Sequence, residues 1–298
     1  MNPIKITNRI MGPLLIGASL IFAADAARAI DIDAGDYTAL PEGTNVGLLY
    51  MQHAERNSLH VNGQQVPGNN GLDSDIGILR LIHFTKIGGY TVDPQLLLPF
   101  GQLKGTGNMS TALGQGSGTG DLILAATVWT INEPENKRYL GITPFLIAPT
   151  GTYDAAKALN LSENRWKYAL QVGYIQGVGD KWTFDLAADV TAYGTNDNAN
   201  AAGQSLTQSP SYQVQAFMRY ALSPSWDLRG GLSSTRTGET KLDGISQGNA
   251  ATMNKVSLGT AVFVGPKTQL LATWGRDLSV DNGFKEASRI NLRFLQVF

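Results

Sequence analysis

From residue 44 onward the chain alternates apolar and polar positions in runs of about ten residues, with almost no helical periodicity. The clearest run is WTFDLAADVTAY (182–193). Trp182, Phe184, Leu186, Ala188, Val190 and Ala192 fall on one side, and Thr183, Asp185, Ala187, Asp189 and Thr191 on the other. Successive side chains of a strand point to opposite faces, so this segment has one apolar side and one polar, doubly acidic side. WKYALQVGY sets Trp166, Tyr168, Leu170, Val172 and Tyr174 against Lys167 and Gln171. SYQVQAFMRYAL sets Tyr212, Val214, Ala216, Met218 and Tyr220 against Gln213, Gln215, Phe217 and Arg219. The final run, SRINLRFLQVF, opposes Ile290, Leu292, Phe294 and Phe298 to Arg289, Asn291 and Arg293, and stops on a bare phenylalanine.

Twelve such strands are predicted, at about 44–55, 74–86, 90–102, 119–131, 138–149, 166–177, 182–194, 211–222, 226–238, 254–264, 268–277 and 287–298. The second is the weakest, because Ile76, Ile78, Ile82 and Phe84 share a face with Arg80. Connections alternate between short turns (NEPENK, VGDK, SPS, GPK) and long polar stretches such as 56–73, 103–118, 150–165 and 195–210. Short turns at one end and long loops at the other are built into a bacterial outer-membrane barrel. Twelve residues rise about 40 Å, or roughly 30 Å along the normal at a tilt near 40°, enough for the apolar band. Soluble strands usually run five or six residues.

Aromatic placement strengthens this reading over a soluble sandwich. Tyr90, Tyr139, Trp182 and Trp226 open strands after short turns, and Phe84, Trp129, Tyr174, Tyr220 and Phe263 close strands before them. With Phe298 they predict a girdle at one interface, although Trp129 sits on the polar phase of its strand. Trp166, Tyr193, Tyr212 and Trp274 approach the other interface. In hydrocarbon every backbone group needs an internal partner, so the sheet must close, strand 12 onto strand 1. The expected fold class is therefore all-β: a transmembrane antiparallel up-and-down barrel of about twelve strands. Its terminal Phe298 resembles the signal read by the bacterial barrel-assembly machinery.

Composition agrees. Of 298 residues 43% are hydrophobic and only 16% charged, below the roughly 25% of soluble domains. There is no cysteine, and the near-neutral charge offers no basic stripe for nucleic acid. Lys5 and Arg9 precede an apolar run that ends at Ala27-Arg28-Ala29, which predicts a secretory signal over 1–29 and a mature barrel domain over 30–298. Removing Lys5, Arg9, Arg28 and Asp25 would leave 20 basic and 23 acidic residues, a net charge of −3.

The inward polar face carries Arg80, Asp93, Lys167, Asp185, Asp189, Arg219, Asp227, Arg229, Arg289 and Arg293. Two roles are open to them: cross-strand pairs that brace the wall, or a transverse field that selects solutes. Leu49, Met51, Leu97, Phe145, Phe217 and Phe263 are expected to point inward as well and to narrow a barrel roughly 24 Å across. Catalytic chemistry finds little support. His53, His60 and His83 are divided between two predicted strands and a loop, unlike the converging set an iron centre needs. No motif sets a serine beside a histidine base for a lipid hydrolase. GQGSGTGD (114–121) lacks the spacing and lysine of a nucleotide loop and reads as a flexible connection. No cofactor is implied.

Several stretches resemble an outer-membrane family named for the meta-pathway of phenol degradation: IDIDAGDYTALPEGTN, GSGTGDLILAATVW, PTGTYD and ENRW. The motif residues are Gly35, Asp36 and Tyr37, then Gly120, Asp121, Pro149, Gly151 and Tyr153, then Asn164, Arg165 and Trp166. The resemblance spans the mature chain and implies an outer-membrane transporter, lipid-embedded, with a small and moderately apolar solute, aromatic by preference. It implies no catalytic residue. Rival readings are a non-conducting structural or adhesive barrel acting through its loops, and a membrane-embedded lipid hydrolase.

Overall fold

A computed structural model describes residues 30–298, so the predicted signal segment lies outside the described residues. Each alternating run forms a strand: β1 Asn45–Val61, β2 Asn70–His83, β3 Tyr90–Gly107, β4 Leu122–Glu133, β5 Arg138–Ala148, β6 Lys167–Val178, β7 Trp182–Tyr193, β8 Ser211–Ser223, β9 Trp226–Thr237, β10 Ala251–Gly265, β11 Thr268–Val280 and β12 Gly283–Val297. Every strand pairs antiparallel with its chain neighbours. β12 then returns to β1, from Val46 opposite Val297 to His60 opposite Gly283, and closes a twelve-stranded barrel. Phe298 continues the closure: its N–H donates to the Asn45 carbonyl at 2.9 Å.

Several strands outrun their predicted ends on the long-loop side. His60, expected in a loop, lies on β1. The glycine-rich 114–121 stretch is not a flexible loop: Gln115–Thr119 pairs back onto Phe100–Lys104. Its glycines have a packing reason, since a Cβ on Gly116 would stand 2.2 Å from the Leu159 carbonyl oxygen. The 149–166 connection crosses there because no side chain intervenes.

The predicted phase holds through β6, β7 and β8. Leu170, Val172, Phe184, Leu186, Val214 and Met218 are exposed around the outer wall, and Gln171, Asp185, Asp189, Gln213 and Gln215 are buried inside. Exposed aliphatic side chains in this number, on a closed sheet, form the apolar outer band expected of a barrel of this class.

Three inward assignments are corrected. Leu49 and Met51 are 39% and 52% exposed on the outer wall; the interior side of β1 carries Val46, Leu48, Tyr50, Gln52, Ala54 and Arg56. The stretch VGLLYM is apolar on both faces, so alternation alone does not set its phase. Phe263 is 41% exposed at the short-turn end. The girdle is corrected in the opposite direction. Phe84, Trp129 and Tyr139 are buried within the barrel, in a cluster with Tyr37 and Ile175. Tyr90, Trp182, Trp226 and Phe298 remain exposed near one end, and Trp166, Tyr212 and Trp274 towards the other.

Candidate functional site

Residues 30–44 do not join the sheet. They enter the barrel from the short-turn end and run along its interior as a strap, anchored at the rim where Gly43 N–H donates to the Phe84 carbonyl and Phe84 N–H to Thr44. A tight turn follows inside, with Asp36 N–H on the Asp33 carbonyl at 3.1 Å and Thr38 N–H on Gly35 at 3.0 Å. Gly35 takes φ +97° there, a conformation that favours glycine.

The strap is recognised residue by residue. The Tyr37 ring fills a slot above Gly173 and Gly141, and its hydroxyl lies 3.0 Å from both Thr143 Oγ1 and Gln171 Oε1. Trp129 Nε1 donates to the Tyr37 carbonyl at 3.0 Å. Asp36 accepts from Arg80 at 3.0 Å and from Arg293 at 2.8 Å, and Arg293 also reaches Asp33 at 2.9 Å. Gly35 N–H donates to Asp185, whose carboxylate also takes Arg219 Nε at 2.8 Å. Arg229 pairs with Asp227 at 2.7 Å and donates to the Ala34 carbonyl. Arg289 bridges Asp31 at 3.2 Å and Glu286 at 2.7 Å. Gln171 and Gln215 donate to the Ile30 carbonyl.

The interior charges anticipated from the sequence therefore act largely on the segment ahead of the first strand. Of the cross-strand pairs anticipated among them, Asp185–Arg219 forms. Lys167 instead turns to Glu163 of the loop at 2.7 Å, and Asp189 is held by Gln171. Asp93 stands apart from the strap and accepts from Gln95 and the Thr127 N–H.

The remaining motif residues gather at the long-loop end. Asp121 accepts from Ser162 Oγ and from the Gly151 and Glu163 N–H groups, and so pins the 149–166 connection, which leaves β5 through Pro149. Gly151 lies flat on Gly120, where a Cβ would meet the Gly120 carbonyl carbon at 2.5 Å. Asn196 ties Tyr153, Asn164 and the Glu163 carbonyl together, and the Trp166 carbonyl accepts from Gly194. Arg165 is buried between Glu163 and Gln208, with its guanidinium 4.5 Å from the Tyr193 ring. Burial alone would raise the Glu163 carboxyl, but Lys167 and Arg165 overcome it and hold the group at about 2. Leu159 is fully buried among Leu59, Leu72, Leu103, Leu113 and Phe284, an apolar cap over the long-loop ends of β1, β2, β3 and β12.

Between strap and cap lies a cavity of about 300 Å³. Ile76, Ile78, Leu97, Ile123, Phe145, Ile147 and Leu161 line one side. Phe217, Gly231, Ser233, Ser257, Gly259 and Asn291 line the other. The apolar phase of β2 that made it the weakest predicted strand is this greasy wall. The three histidines stay apart: His53 meets Asp75, His60 lies by Ser58, and His83 meets Asn45.

Comparison with known proteins follows this geometry. The family model described as "Putative MetA-pathway of phenol degradation" matches residues 59–294. The crystal structure of the COG4313 outer membrane channel from Pseudomonas putida F1 is 41% identical, with a TM-score of 0.86, covering 90% of this chain and 100% of that one. The beta domain of the Bordetella autotransporter BrkA (11% identity, TM-score 0.50, 87% and 100% covered) shares the fold alone. So does the transport unit of the autotransporter AIDA-I from Escherichia coli (8%, 0.50, 94% and 94%). No curated protein matches the chain.

Proposed function

We propose that this chain, which belongs to the MetA-pathway phenol-degradation family, is a passive outer-membrane channel for small, moderately apolar molecules, aromatic compounds being the favoured class. The observation that carries this reading is the apolar wall of Ile76, Ile78, Leu97, Ile123, Phe145 and Ile147 along one side of the cavity. A path for hydrophilic solutes gains nothing from such a wall, whereas an apolar solute leaving water is stabilised by about 25 cal/mol per Å² of surface it buries there. Strap residues Ile30 to Asp36 and loop residues Asn160, Leu161 and Glu163 both line the cavity, so on this reading a solute passes by displacing them in turn. The same reading has 1–29 removed as a signal peptide, and it gives Phe298 to the barrel-assembly machinery. In support of the latter, the Phe298 ring lies over Gly47 on the outer wall, where it closes the β1–β12 seam.

Reconstitution of the purified barrel in planar bilayers tests the channel reading. The wild type should show small, intermittent currents that grow when residues 30–37 are deleted. A deleted barrel that inserts but never conducts would favour a structural or adhesive role instead.

A further inference from the structure

Two buried acceptor groups at the inner end of the strap are incompletely satisfied. Asp189 on β7 is 8% exposed, and among the described residues its carboxylate meets a single donor, Gln171 Nε2 at 3.2 Å. Gln213, its cross-strand partner on β8, is 2% exposed. Gln213 turns Nε2 to the Asp31 carboxylate at 2.8 Å, which leaves its Oε1 buried and unpartnered. A buried carboxylate without a cation and a buried amide oxygen without a donor each cost stability. By contrast, the wall carboxylates Asp185, Asp227 and Glu286 are paired with Arg219, Arg229 and Arg289.

Both orphan acceptors surround Ile30. Gln171, the other cross-strand partner of Asp189, donates from one nitrogen to the Ile30 carbonyl at 3.0 Å and to Asp189. Gln215 donates to the same carbonyl at 3.1 Å, and Gln213 holds the next residue, Asp31. The Ile30 carbonyl and the Asp189 carboxylate share the Gln171 nitrogen, so the backbone nitrogen of Ile30 belongs to the residue that these acceptors flank. In an unprocessed chain it is an amide with one hydrogen and no charge. Cleavage after Ala29 would convert it to an ammonium with three donors and a positive charge.

We infer that Asp189 and Gln213 form a binding site for the α-ammonium group of Ile30, created when the leader is removed, so that processing itself locks the strap in the barrel. The inference rests on the proposed cleavage after Ala29. The site takes an ammonium one residue from the Asp31–Arg289 pair, and it discriminates by length. A start one residue earlier or later places the charge out of register.

The test uses mature protein extracted from outer membranes. Its N-terminal amine is labelled with a succinimidyl ester at neutral pH, and the N-terminal peptide is quantified by mass spectrometry. Labelling should be at least about tenfold slower in the wild type than in Asp189→Asn, and slower by a similar factor than in a chain with one glycine inserted between Ala29 and Ile30. The insertion changes no barrel residue, so it decides the matter if Asp189→Asn assembles poorly. Equal labelling rates in wild type and insertion variant overturn the site. Intact mass reads the premise separately: a mature chain that begins anywhere but Ile30 overturns the inference and leaves the channel reading untouched.

Discussion

The ring of Tyr37 lies directly against the backbone of Gly173, where a Cβ would stand only 2.1 Å from its Cδ2. Gly141, opposite Gly173 across the β5–β6 ladder, would bring a Cβ to 2.8 Å from the same ring. The two glycines weaken two strands to make a slot one aromatic ring wide. Glycine inside a strand often marks such a close approach.

Gly173→Ala should therefore expel Tyr37 while the barrel still closes. Overpacking of this kind costs about 1–3 kcal/mol. The variant should keep its heat-modifiable migration and show larger, more frequent single-channel openings than the wild type. Unchanged currents would mean that the strap does not govern the path.

Arg293 holds two strap carboxylates at once, Asp33 and Asp36, beneath the Tyr50 ring. Arg293→Ala leaves Asp33 without its guanidinium and Asp36 with Arg80 alone in a buried setting, and breaking such a pair costs about 3–5 kcal/mol. The guanidinium midpoint for unfolding from detergent micelles should fall clearly below that of the wild type. Arg219→Ala removes only the partner of Asp185, which keeps the Gly35 N–H, and its drop should be smaller.

At the opposite mouth, Glu163 links Arg165 to Lys167. Its folded value, near 2, is below the ordinary 4.5, so its contribution is complete above pH 4.5 and disappears as pH falls towards 2. Limited proteolysis of the 149–166 connection should stay slow from neutral pH down to about 4.5 and quicken below it. Glu163→Gln should be cut quickly even at neutral pH. Equal cutting of both proteins at pH 7 would contradict the clamp.

Strand count, closure and the outer wall were legible because alternation is a local property: Trp182 to Ala192 declares its face without reference to any neighbour. The failures share one cause. Leu49 and Met51 lie in a run that is apolar on both sides, so nothing local told inside from outside. Phe84, Trp129 and Tyr139 read as girdle residues because the strap that covers them is distant in sequence. The strap itself carried a signal that composition hid. Asp31, Asp33 and Asp36, ahead of the first strand, complement Arg80, Arg289 and Arg293 on the inner faces. The paired glycines at 141 and 173 sat where Tyr37 needs space. Such complementarity becomes visible only once the sheet is closed.

Uptake in intact cells tests the central claim most directly. A strain lacking this protein should accumulate a labelled monoaromatic such as phenol more slowly at limiting external concentration. The wild-type chain should restore the rate, and Phe145→Asp, which places a charge on the apolar wall, should not. Undiminished accumulation in the deletion strain, or full rescue by Phe145→Asp, would contradict it.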